Sequence, residues 1–283
     1  MYRIRNFFIL AASLILLVSC SSFAKKSAKR FAKQTGKEAT EQVLQEMVEI
    51  GERRTLKELA TSSKLMKTLF DGLESIVSRD FADGIVVTKL SDGIIELVSK
   101  DFPASKIMMN LKTNTIECAA GSLKNAGPVN QFLNYLLPNT TYKVDGCFTY
   151  ITDNLGRVKT ALGDRSLASS TIQRNTQRNS DVQKMVIDML DGNRALDDGG
   201  HIFSNTSGGP NELINQVPML RTSNQHGKWR ELERIEEEAI KAGKKVVSER
   251  KFLYKGNSKR PYAIEFTYII NGQKMTTVVK NTQ

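Results

Sequence analysis

Histidine and tryptophan are nearly absent from this chain, with two and one among 283 residues, and there are only three cysteines. So few thiols and imidazoles exclude a cysteine–histidine zinc cluster, since no third or fourth ligand stands at a suitable spacing from Cys118 and Cys147. Long apolar runs are scarce as well. Phe7–Val18 is the run that stands out, and it is too short to span a bilayer. Acidic residues are missing from positions 1–37, which hold eight Lys/Arg. Removing those eight from the 41 basic residues leaves 33 against 30 acids, so the net charge of +11 is not by itself a nucleic-acid signal.

The amino-terminal pattern has a use of its own. Arg3 and Arg5 precede the apolar run, and Leu17-Val18-Ser19-Cys20 follows it, which resembles a lipoprotein signal over 1–19 with lipidation at Cys20. Ser21 resembles the sorting pattern for the outer membrane. Residues 20–37 then read as a basic tether, either lying on anionic headgroups or solvated as a linker. The expected location is the bacterial envelope, lipid-anchored, at the outer membrane.

Residues 38–141 read as a helical region without a catalytic constellation. Apolar residues recur at three- and four-residue spacing from Val43 to Ile76, and Ile85–Val98, broken at Gly84 and Gly93, reads as two short helices. A spacer, a dimerisation hairpin and an inhibitory cover all suit such a region, and the oligomeric state stays open. Cys118 and Cys147 either pair, tying this region to the first strand of the next, or stay as buried thiols.

From Tyr142 the period changes to two. Tyr142, Val144, Phe148 and Tyr150 alternate, Asp153-Asn154-Leu155-Gly156 forms a turn, and Arg157-Val158-Lys159 starts a return strand. A helix is expected at Asp181–Leu190 and another at Lys228–Ala242, and the tail returns to strands with Asn271-Gly272 as a hairpin turn. The predicted fold class is α+β, with a mostly antiparallel sheet.

Between the two helices lies LDDGGHIFSNTSGGPNELINQVPMLRTSNQHGKWRELE, Leu196 to Glu233, which holds both histidines and the tryptophan. His201 follows two acids and two glycines, so its backbone is free to bend and a carboxylate stands nearby. Trp229 and Glu233 are four apart and share a helix face. Of the acids on that helix, Glu231, Glu236, Glu237 and Glu238 read as a solvated face. His226 reads as a bystander.

Asp198-Gly199-Gly200-His201, then Asn215-Gln216-Val217-Pro218, then Asn224 with Trp229 and Glu233, resembles the signature of the DNA/RNA non-specific endonucleases over roughly Tyr142 to Tyr268, within an expected domain of 142–283. The resemblance implies a ββα-metal fold. It implies His201 as general base, Asp198 or a nearby carbonyl orienting its other nitrogen, and Asn215 as a further polar site residue. Asn224 becomes a direct ligand of a divalent metal, and Glu233 holds metal-bound water. Better-known members carry arginine before the Gly-His pair where this chain has Gly199, a variant resembling secreted bacterial toxins. An ion held by one amide oxygen is expected to be Mg²⁺, with Mn²⁺ the other choice.

Phosphates are expected to meet Arg157, Arg174, Arg178 or Arg194, or the basic run Lys241–Arg260, which has eight Lys/Arg and one acid. No residue stands out to read a base edge, so sequence-independent cleavage of DNA and possibly RNA is expected. An immunity or inhibitor protein is a further expected partner. The opposing reading is a catalytically inactive nucleic-acid-binding or envelope-interaction lipoprotein that keeps the motif for its fold.

Overall fold

The computed structural model describes residues 43, 45–121, 129–164 and 180–282. Cys20, the signal, the tether, Arg174 and Arg178 lie outside them. Among the described residues no helix is long and apolar enough to cross a membrane.

The fold is α+β, and one mostly antiparallel sheet of eleven strands organises it. Strands β1 (Arg53–Thr55), β2 (Ile85–Ser91), β3 (Ile94–Ser99), β4 (Lys106–Asn110) and β5 (Thr115–Cys118) form the amino-terminal half. The sheet continues through β6 (Thr141–Val144), β7 (Phe148–Thr152) and β8 (Val158–Asp164). It then crosses directly to β11 (Val246–Leu253), β12 (Ala263–Ile270) and β13 (Gln273–Lys280). Only β5 and β6 pair in parallel, Thr115 opposite Thr141 and Cys118 opposite Val144. Helices α1 (Leu56–Ala60), α2 (Lys64–Ile76) and α3 (Arg79–Asp83) join β1 to β2.

The helical reading of Ile85–Val98 is overturned. Ile85, Val86 and Val87 are β-branched, Ile95 and Leu97 alternate into the core, and Asp92-Gly93 between them is a hairpin turn, with Gly93 at φ 83°. Gly84 caps the end of the short helix Arg79–Asp83 just before β2, and Gly93 turns β2 into β3. The amino-terminal half is therefore not an all-helical appendage but an extension of the same sheet.

Of the two alternatives for Cys118 and Cys147, the structure has no disulfide between them. Cys118 lies opposite Val144 in the ladder, while the left-handed turn at Asp145 and Gly146 carries Cys147 onto the return strand and into the core. Burial, followed by the Asp145 carboxylate, pushes the Cys118 thiol well above its ordinary range, so it stays protonated.

Between β8 and β11 the chain leaves the sheet to build a separate layer. It contains α4 (Ser180–Met189), a two-stranded ladder of β9 (Asp197–His201) and β10 (Gln216–Leu220), then α5 (Arg221–Gln225) and α6 (Lys228–Lys241). Helix α6 lies on the sheet through its apolar stripe. Trp229 meets Phe266 edge-on, with ring centroids 5.2 Å apart.

Candidate active site

His201 ends β9, directly opposite Gln216 on β10. Its ring bonds to the side chain of Asn211, while Nε2 is covered and has no hydrogen-bond partner among the described residues. Burial holds the imidazole below its ordinary value, with the Asn211 bond opposing that shift, so at neutral pH the ring is uncharged. A neutral ring whose other nitrogen is engaged leaves Nε2 as a lone-pair acceptor.

Asp198 does not fill the role expected of it. It is three residues back along β9 and so on the opposite strand face from His201. Its carboxylate accepts instead from Arg221 Nε at 2.9 Å, Gln225 Nε2 at 2.7 Å and, more loosely, Asn224 Nδ2 at 3.4 Å. Three side chains of α5 thus converge on one carboxylate. The contact to Nδ2 turns Asn224 Oδ1 the other way, towards Gly200, where an added Cβ would lie 3.2 Å from it. Glycine at 200 is therefore what lets β9 and Asn224 approach each other. At Gly199 a Cβ would lie 3.0 Å from Gln216 Oε1 and 3.1 Å from the Gln183 backbone of α4, so the arginine of other sequences has no room here.

Asn215 is fully buried, and its amide is saturated. Oδ1 accepts from Tyr150 Oη and Phe203 N, both at 2.9 Å, while Nδ2 donates to the carbonyls of Phe203 and Pro210, both at 2.8 Å. An amide has two donors and two good acceptor positions. None remains for a substrate, so Asn215 is a clamp on the chain after β9 rather than a contact residue.

Glu233 is buried on α6, with Arg230 Nη1 3.1 Å from its Oε2. Burial raises its carboxyl to about 7, with Arg230 pulling the other way. The solvated-face reading fails for two of its neighbours. Glu237 accepts from Ser204 and Thr206, each at 2.7 Å, and from Arg230, while Glu236 is buried against Arg250 at 2.5 Å. The partners that cover these two acids lie far off in the chain, at Ser204, Thr206 and Arg250, where spacing along α6 does not show them.

In the metal-free protein this carboxyl makes stability depend on pH. With the folded carboxyl near 7 and an ordinary value of 4.5, the folded state takes up the proton first as pH falls. The penalty of a buried anion is fully present above pH 7, lifts between 7 and 4.5, and is gone below that. Glu233 should therefore make the chelator-treated protein more stable on acidification by on the order of 3 kcal/mol, and Glu233→Gln should flatten that rise in urea unfolding. Equal slopes for both proteins would overturn it.

The phosphate candidates fare poorly. Arg157 is mostly buried, paired with Asp153, bonded to the Gly256 and Ser258 carbonyls and stacked 4.4 Å over Tyr254. Arg194 is exposed and pairs with Asp188, outside the cluster. From the basic run, Arg250 is buried and Arg260 pairs with Asp197. Arg221 and Arg230 were not singled out from sequence, yet they are the guanidinium groups beside Asn224 and Glu233. His226 is exposed at the end of α5.

No group of three or more His, Cys, Asp or Glu is gathered among the described residues. What is present fits a different kind of centre. An amide oxygen held in place by Asp198, with a buried carboxylate on the next helix, suits a hard cation that keeps most of its water.

The family model described as DNA/RNA non-specific endonuclease matches residues 138–272. Among solved structures, the chain is similar to Sda1 nuclease with bound zinc ion at 17% identity and a TM-score of 0.33, over 47% of this chain and 75% of that one. It is similar to an extracellular endonuclease at 16% identity and a TM-score of 0.32, over 48% and 78%. A third, an extracellular nuclease, shows 17% identity and a TM-score of 0.30, over 46% and 81%. The family match spans the β9–β10 ladder, α5 and α6 together with His201, Asn224 and Glu233, so residues 138–272 are similar to the DNA/RNA non-specific endonucleases.

Proposed function

We propose that the protein is a divalent-metal-dependent endonuclease, cutting DNA, with RNA as a second substrate, without sequence preference, and held at the bacterial envelope by a lipid on Cys20. The observation that carries the reading is the covered, unpartnered Nε2 of an uncharged His201, one residue from the glycine that faces Asn224 Oδ1. An imidazole placed so can take a proton from water attacking a phosphodiester. Asn224, and Glu233 through water, are the residues that would hold the cation, Mg²⁺ or Mn²⁺. When bound, such an ion neutralises phosphoryl charge and stabilises the departing 3′ oxygen. Asp198 orients Asn224, and Arg230 keeps the Glu233 carboxylate directed while balancing its charge. Arg221, half-exposed beside Asn224, is the side chain best placed to meet a phosphate.

The test is direct. Protein released from its anchor should nick plasmid DNA when given Mg²⁺ or Mn²⁺ and stop on chelation; DNA and RNA both left uncut would replace the enzyme with the binding-lipoprotein alternative. Anchoring is tested separately. The mature protein should partition into detergent, and Cys20→Ala should move it to the aqueous phase, because one lipidated cysteine and the basic stretch 20–37 act together. Membrane fractionation unchanged by Cys20→Ala would sink the lipid anchor. Export would call for an immunity or inhibitor protein only if the target were a neighbouring cell. Scavenging and defence suit the same chemistry.

A further inference from the structure

The amino-terminal half of the sheet reaches the candidate site through one buried carboxylate. Glu212 is 0% exposed, and its Oε1 accepts from the backbone N–H of Gly121 and of Asn130, both at 2.9 Å. The next residue adds a third tie, Leu213 N donating to Asn134 Oδ1 at 2.9 Å. These anchors are themselves held. Asn130 Nδ2 donates to the carbonyls of Lys106 and Ala119, which places the clasp on β4 and the end of β5.

On its other side Glu212 adjoins Asn211, whose side chain bonds the His201 ring. The Asn211 carbonyl accepts from Gln216 Nε2 at 2.7 Å, and Gln216 is the cross-strand partner of His201. A buried carboxylate is a costly way to fasten a loop, since burial strips water that fixed donors must replace. The short, charge-assisted bonds give something a neutral side chain gives less well, a fixed position for the residue beside it.

We propose that Glu212 is a positioning residue for His201. Through Gly121, Asn130 and Asn134, the amino-terminal half of the sheet fixes Asn211, and Asn211 holds the imidazole with its proton on Nδ1 and Nε2 free to accept. This rests on the reading of His201 as the base. It also gives residues 43–134 a task in the site that a spacer would not have.

The tautomer is read on the full-length, metal-free protein with ¹⁵N-labelled histidine at pH 7.5, and turnover on the same protein supplied with Mg²⁺. Two histidines make the spectrum simple, and His226→Asn assigns it. In the wild type, His201 Nε2 should resonate as an unprotonated nitrogen. Glu212→Ala should bring the two ring nitrogens towards a shared, averaged shift and lower kcat about 10- to 100-fold with KM little changed. Glu212→Gln keeps an acceptor oxygen and should restore most of both. A folded Glu212→Ala protein with the wild-type tautomer and kcat, losing only thermal stability, would overturn the proposal and leave Glu212 a structural clasp. Should Glu212→Ala not fold, Asn134→Ala carries the test with the same two outcomes. The tautomer is read without substrate, so a wild type that shifts on mutation yet cuts no nucleic acid refutes the nuclease reading and not the clasp.

Discussion

His201→Ala should abolish plasmid nicking at neutral pH, a loss of about 10²- to 10⁴-fold, while metal and DNA binding stay nearly intact. The imidazole is placed to touch water rather than the ion. Its burial holds it uncharged, so the base is already in its working form at pH 7 and removing it takes away proton transfer alone. Asn224→Ala should fail differently, because the amide oxygen beside Gly200 is the one the reading assigns to the cation. Cleavage should fall and be partly recovered by raising Mg²⁺. Glu233→Ala should weaken metal binding less, since it acts through water. If the three residues only support the fold, each variant should lose melting temperature in proportion to its activity. Nicking and melting measured side by side separate the two, and parallel losses would defeat the catalytic assignment.

How much of this was legible from sequence depends on whether the informative neighbour was near in the chain. Period-two alternation at Tyr142–Tyr150 and the Asn271-Gly272 turn gave the nuclease-side strands directly. The helix bearing Trp229 and Glu233 was legible from its three- and four-residue apolar spacing. The strands at Ile85–Ser99 were misread because glycines at 84 and 93 punctuate helices and hairpins alike. The better signal was Asp92-Gly93 between β-branched runs. In the candidate site, motif spacing singled out His201, Asn224 and Glu233 but could not show what each touches. Asn215 is bound to Tyr150, 65 positions away, and Arg157 to carbonyls near 256–258. Charge in a sequence does not say whether a group is solvated or clamped, and for Arg157, Glu236 and Arg250 the structure says clamped.

Arg250→Ala should be among the most destabilising single changes in the chain, at about 3–5 kcal/mol. Arg250 is 0% exposed, its guanidinium 4.3 Å from the Phe203 ring centroid and 4.1 Å from that of Phe266, with Nη2 2.5 Å from Glu236 Oε2 and Nη1 2.5 Å from Ser248 Oγ. Truncation strands the Glu236 carboxylate without its cation and opens space between two rings. The pair is not ideal even intact, because Arg250 Nε and Glu236 Oε1 have no hydrogen-bond partner among the described residues. Much of the desolvation of two ions is therefore unreturned. Replacing both, Arg250→Met with Glu236→Leu, should leave stability within about 1 kcal/mol of the wild type or above it. Urea unfolding of the two single variants and the double closes the cycle. Glu236 sits three residues after Glu233 on α6, and Phe203 follows His201 by two, so the stacked guanidinium ties α6 to the stretch after β9. A cost for Arg250→Ala below about 1 kcal/mol would mean that the aromatic rings close over the gap and the charge pair is incidental to how α6 is held.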